Sequence, residues 1–123
     1  MKVIKESDFS PQNLLKHVDE HGAQYIKDSR FKDVLNDAEA FNKRYNQIAN
    51  ELSHKHVGKS NSKDNYIGYI DKNNNVVKYD TKKHDFVVYD KKWSITMHKK
   101  SRENYDKIRK RDFKKELPYN EEK

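Results

Sequence analysis

The sequence contains no cysteine, which excludes disulfides, thiolate-ligated zinc and a cysteine nucleophile. No apolar run approaches the roughly 20 residues needed to cross a bilayer, so stable membrane insertion is not expected. No signal-peptide pattern is visible at the start of the chain. Internal repeats and linker-like stretches are absent as well. Only 33% of the 123 residues are hydrophobic, a small share for a folded chain, so Tyr and Phe must carry much of the core. A chain of this length reads as one domain, 1–123, with 1–9 and 118–123 irregular.

Charge, in contrast, is abundant. Charged residues make up 38% of the chain and the net charge is +7. The excess of Lys and Arg sits in residues 61–123, while the first sixty are nearly balanced. Such a balance favours polyanionic partners: nucleic acid, an anionic surface or an acidic protein.

The few glycines and prolines mark boundaries. Ser10-Pro11 is a helix start and Gly22 its stop, with Leu14, Leu15 and Val18 between them at helical spacing. His17 and His21 stand four apart there, but no third ligand is adjacent, and they read as solvated or capping residues. Asp28 or Ser29 can cap a second, longer helix. Its apolar stripe, Phe31, Val34, Leu35, Ala38, Phe41, Tyr45, Ile48, Ala49 and Leu52, is the strongest periodic signal in the chain and predicts packing against a sheet.

The segment LSHKHVGKS, 52–60, follows that stripe. Its Gly58-Lys59-Ser60 invites a phosphate-loop reading, but Ser53 stands where that loop requires glycine, so nucleotide binding is rejected. A basic helix end stopping at Gly58 and offsetting the helix dipole is the structural alternative to a functional role. If the segment is helical, His54 and His56 diverge by about 200°, and only one can face the sheet.

Four strands are expected next: Tyr66–Ile70, Val76–Asp80, Asp85–Tyr89 and Trp93–His98, joined by short polar turns as successive antiparallel hairpins. The last strand alternates. Trp93, Ile95 and Met97 take one face, the core, and Ser94, Thr96 and His98 take the other. From Ser101, a helix cap, a third helix should run to about Lys115, with Tyr105, Ile108 and Phe113 as its apolar contacts. The expected fold is therefore α+β: N-terminal helices packed on a four-stranded antiparallel sheet, with a basic C-terminal helix.

Two stretches carry a family resemblance: a helix ending in histidine, LSHKHVGK (52–59), and the run KYDTKKHDFVVYDKKWSITMHKK (78–100). Together they resemble the C-terminal ribonuclease toxin domains of bacterial contact-dependent inhibition and polymorphic toxin systems, in the barnase/EndoU/colicin/RelE-like superfamily. Lys91-Lys92-Trp93 replaces that family's usual glycine turn, and Met97-His98 stands where Phe-Lys is more common. The resemblance implies cleavage of RNA, often tRNA, without metal or cofactor, and an acidic immunity protein as cognate partner. It also implies a secreted or surface-delivered fragment acting in the cytoplasm of a target bacterium.

The chemistry can be argued from the residues. Because the ribose 2′-OH is an internal nucleophile, the protein must supply only a base, an acid and positive charge at the phosphorane. Histidine suits both proton transfers, since its ordinary pKa of about 6.5 lies near neutrality. His56 is the leading acid or base, with His54 as its substitute if the helix phase is one step off, and His98 takes the second proton-transfer role. Thr96 would hydrogen-bond the scissile phosphate, Lys59 would stabilise charge and Tyr79 would position. Lys99, Lys100, Lys107, Arg109 and Arg111 would follow the RNA backbone. This scheme requires the end of the long helix and the last strand to meet across the sheet. The alternatives are a non-catalytic RNA- or DNA-binding module whose Tyr66, Tyr69, Tyr79 and Tyr89 stack bases, and a basic protein-interaction domain.

Overall fold

A computed structural model describes residues 23–59, 63–92 and 94–117. The helix expected over 10–22, with His17 and His21, lies outside the described residues, as does Trp93. The chain divides into two compact units, Met1–Ile48 and Ala49–Lys123.

In the first unit, the single long helix expected from the apolar stripe is broken. A 3-10 turn, Ser29–Val34, is capped by Asp28, whose carboxylate accepts from the Arg30 amide at 2.9 Å. Helix α1 follows as Ala38–Ser53. The break has a local cause. The Asp37 carboxylate accepts from the Ala40 amide at 3.0 Å, so Asn36-Asp37 begins a new helix rather than continuing the old turn. Within this unit Tyr25, Phe31, Phe41 and Tyr45 are buried, with ring centroids 4.7–5.6 Å apart. Arg44 clasps the Asp33 carboxylate with two bonds of 3.0 Å, which holds that carboxyl below its usual range.

The second unit is built on an antiparallel sheet of five strands: β1 Tyr66–Asp71, β2 Val76–Asp80, β3 Asp85–Tyr89, β4 Ile95–Lys99 and β5 Phe113–Glu116, in the order β4-β3-β2-β1-β5. The first four match the expected hairpins to within two residues. The fifth replaces the expected end of the third helix. Helix α2, Arg102–Asp112, is capped by Ser101 as expected, but the chain leaves it at Phe113 and pairs with β1 at Tyr69–Asp71. The fold class is α+β, with one strand more than expected.

Register and pleat sort the side chains into two faces. Ile67, Tyr69, Val77, Tyr79 and Phe86 share the face under α2, where Tyr105 is fully buried and stacks on Tyr79 at 4.5 Å. Each such ring contributes roughly 2–3 kcal/mol through burial. The opposite face presents Lys78, Val87, Tyr89 and Met97. The end of α1 docks there: the Lys78 ammonium donates to the carbonyls of Ser53 and Lys55 at 2.6 and 3.0 Å. Gly68 lies where Val57 crosses this face. A Cβ on Gly68 would stand 2.3 Å from the Val77 carbonyl and 3.4 Å from Val57 Cγ2, so only glycine fits.

Candidate functional site

The helix leading to His54 stops at Ser53, well before Gly58. Gly58 instead extends the sheet, its amide donating to the Tyr66 carbonyl at 2.9 Å in a parallel bridge beside Ile67. The segment from 54 to 59 is therefore not helical, and the angular argument about His54 and His56 does not apply to it. His54 Nδ1 lies 2.8 Å from the Asn50 carbonyl. A carbonyl can only accept, so Nδ1 carries the proton and the imidazole caps the helix end. His54 lines a shallow cleft of about 430 Å³ with Asn50, Glu51 and Lys55. His56 and Lys59 are exposed on the extended segment beyond it.

Thr96 and His98 are elsewhere. Met97 is buried on the α1 side, which turns Thr96 and His98 to the α2 side, where His98 meets the Phe86 ring edge-on at 6.4 Å. β4 is an outermost strand, whereas Gly58 borders β1. Three strand spacings of about 4.8 Å, roughly 14 Å, separate β1 from β4. The expected convergence of His54, His56 and Lys59 with Thr96 and His98 is thus not what the fold brings about: Ser53, beside His54, is bonded by Lys78 and Tyr89 on the α1 face, Lys59 follows Gly58 next to β1, and Thr96 and His98 face the α2 side.

A different constellation forms on the α2 face. The Tyr79 hydroxyl lies 2.6 Å from the Lys100 carbonyl and 3.0 Å from His84 Nδ1. The Lys100 amide donates in turn to the His84 carbonyl at 3.0 Å. The Lys100 ammonium lies 5.4 Å from the centre of the Phe86 ring, the ring that His98 also meets. Arg102 lies over the Tyr105 ring and pairs with Asp106 at 3.1 Å. Two imidazoles, a phenol, an ammonium and a guanidinium thus gather at one corner of the sheet. Burial, the largest cause, raises the Tyr79 pKa, and the carboxylates of Asp106, Asp80 and Asp85 act in the same direction against Arg102. The phenol therefore stays neutral and keeps its proton.

Of the expected site residues this corner holds Tyr79, His98 and Lys100, with Thr96 on the same face two residues from His98. Sequence reasoning does not single out His84 or Arg102. The sequence signal for His84 is its place at the end of the β2–β3 turn, where it takes a left-handed φ of 65°. Asn74, a residue that tolerates this conformation, has the same φ sign in the preceding hairpin. Histidine, like asparagine, is among the side chains enriched in this conformation.

The expected backbone-binding cations have varied fates. Lys99 is turned to the other face, donating to the Lys83 carbonyl at 2.7 Å and pairing with Asp85 at 3.3 Å. Lys107 is exposed and pairs with Glu103 one turn away at 3.4 Å. Arg109 points its Nε into the protein, and Arg111 forms two bonds of 2.8 Å to Asp112. Tyr69, Tyr79 and Tyr89 are buried, so three of the four tyrosines expected to stack bases present no open ring.

No family model, curated protein or solved structure matches this chain.

Proposed function

We propose that the chain is a metal-independent endoribonuclease whose reaction centre is the corner formed by His84, His98, Tyr79, Lys100 and Arg102. The observation that carries this reading is the Tyr79 hydroxyl, which ties the His84 imidazole to the backbone of Lys100, two residues after His98. In-line attack of a ribose 2′-OH on the adjacent phosphate needs two proton-transfer groups and local positive charge. The corner supplies both. The base takes the 2′ proton as the 2′ oxygen bonds to phosphorus. The bond to the 5′ oxygen then breaks as the acid protonates that oxygen. The products are a 2′,3′-cyclic phosphate and a 5′-hydroxyl. The family resemblance adds tRNA as the proposed substrate class, an acidic immunity protein as partner and the cytoplasm of a target bacterium as the place of action.

Total RNA incubated with the folded protein, with and without EDTA, tests the reading. Fragments ending in 2′,3′-cyclic phosphate, formed equally in both samples, are expected. Intact RNA, or cleavage abolished by EDTA, would refute it.

A further inference from the structure

We infer that Tyr79 is a positioning residue that locks His84 with its proton on Nδ1, so that Nε2 is the atom that accepts the 2′ proton. The inference rests on the ribonuclease reading for its reaction, but its structural half stands without it.

The protons of this corner can be counted. The Tyr79 oxygen and the Lys100 carbonyl oxygen are 2.6 Å apart. Two oxygens at that separation require a proton between them, and the carbonyl has none, so the phenol donates its only proton there. The Tyr79 oxygen is then left with lone pairs alone. Its 3.0 Å approach to His84 Nδ1 is a hydrogen bond only if Nδ1–H donates. Neutral His84 must consequently carry its lone pair on Nε2. Burial keeps the phenol protonated, so this order is not reversed near neutrality.

The arrangement suits proton transfer for a second reason. Imidazole and imidazolium both carry a hydrogen on Nδ1, so the bond to Tyr79 persists as Nε2 gains and loses its proton. No neighbouring group has to reorient during the reaction. The backbone holds the ring in place as well. The His84 amide donates to the Asp80 carbonyl at 2.8 Å and its carbonyl accepts from Lys100. The turn holds His84 at a left-handed φ of 65°, a conformation in which histidine is enriched. In the reaction the 2′-O–H proton moves to His84 Nε2 and the 2′ oxygen bonds to phosphorus. The P–O5′ bond breaks, with a proton from the imidazolium of His98 completing the 5′-hydroxyl.

Long-range ¹H–¹⁵N NMR on protein labelled at histidine nitrogens, recorded above the ordinary imidazole pKa of about 6.5, reads the tautomer directly. The parent should show His84 with a protonated Nδ1 and an unprotonated Nε2. In Tyr79→Phe the ring is retained and the order should revert towards the Nε2–H form that predominates in free histidine. RNA cleavage by the same variant should lose kcat roughly 10- to 100-fold, the size typical for loss of an orienting partner, at unchanged KM. A parental His84 protonated on Nε2 overturns the inference, whether or not the variant folds, and so does a folded Tyr79→Phe with unchanged imidazole shifts. A parent that shows the Nδ1–H form yet cleaves no RNA defeats the ribonuclease reading and leaves the tautomer assignment supported.

Discussion

The ammonium of Lys78 lies fully buried, 2.6 Å from the carbonyl oxygen of Ser53, and serves as the C-terminal cap of α1. The last carbonyls of a helix have no partners within it and carry the negative end of its dipole. One lysine in mid-sheet bonds the Ser53 carbonyl and that of Lys55 just beyond it, and the Tyr89 hydroxyl adds a third bond, to Ser53, at 3.3 Å. Its charge also faces the Tyr89 ring at 5.6 Å.

Lys78→Met retains the apolar stem and removes the donors. The Lys55 carbonyl loses its donor, at about 1–3 kcal/mol, while the Ser53 carbonyl keeps the Tyr89 hydroxyl, and the cost is partly offset by no longer burying a charge. The expected loss is roughly 1–3 kcal/mol in urea unfolding, with an unchanged m-value. A variant as stable as the parent would show that the lysine does not cap the helix.

Beneath α2 the hydroxyls of Tyr69 and Tyr105 are buried without hydrogen-bond partners. Burial is the largest cause raising both pKa values far above the ordinary phenol, with nearby acidic groups adding to it. The sign follows from linkage. Above about pH 10 the unfolded chain loses these phenolic protons while the folded chain retains them. The folded state then binds more protons, and stability falls as pH rises. Below that range the two phenols contribute no pH dependence. Tyr69→Phe and Tyr105→Phe should move the alkaline unfolding midpoint upwards. At neutral pH they should leave stability unchanged or raise it by up to about 1 kcal/mol, because an unpaired polar group is removed. Unfolding monitored by circular dichroism across the alkaline range checks both parts. A large loss at neutral pH would mean that the hydroxyls are bonded.

Local pattern is legible in the sequence; strand order is not. Alternation puts Thr96 and His98 opposite Met97, and Ser101 marks the start of α2. No local signal states that β4 lies three strands from β1, beside which the segment after α1 runs, and the expected pairing of His56 with His98 fails on that point. The strand Phe113–Glu116 is hidden because its four residues continue a basic helical pattern. It forms where the open edge of β1 offers backbone partners, a tertiary cause. The break at Asp37 is hidden for the opposite reason, since the apolar stripe keeps its period across it. His84 reads as a turn residue, which it is. Its partner Tyr79 lies on the strand before that turn, and only the folded hairpin brings the two together.

The basic residues separate by the partners they already have. Removing one phosphate interaction should make the log–log salt slope for single-stranded RNA shallower by about 0.7. Lys100, at the proposed reaction corner, and Lys110, exposed on α2, should each give that change on substitution by Ala. Arg111→Ala should give less, because its guanidinium is engaged by Asp112. Fluorescence anisotropy of a labelled RNA over a salt series measures all three. Equal, unchanged slopes for Lys100→Ala and Lys110→Ala would remove this corner and helix from the RNA path.

The sharpest separation of structure from function is expected at His84. A left-handed residue other than glycine costs about 1–2 kcal/mol, which His84→Gly recovers. Against this stand the added unfolded-state entropy of glycine, about 0.5–1 kcal/mol, and the lost bond to Tyr79, about 1 kcal/mol. These contributions nearly cancel, so His84→Gly should unfold within about 1 kcal/mol of the parent. RNA cleavage should nonetheless fall on the order of 10² to 10⁴, the loss expected for a general base. His98→Ala should fall comparably as the partner acid. His56→Ala, altered on the segment that runs beside β1, three strands from β4, should cleave as the parent does. Urea unfolding and single-turnover cleavage of the three variants decide the matter. Parental cleavage by His84→Gly, or a loss confined to His56→Ala, would return the chemistry to the end of α1.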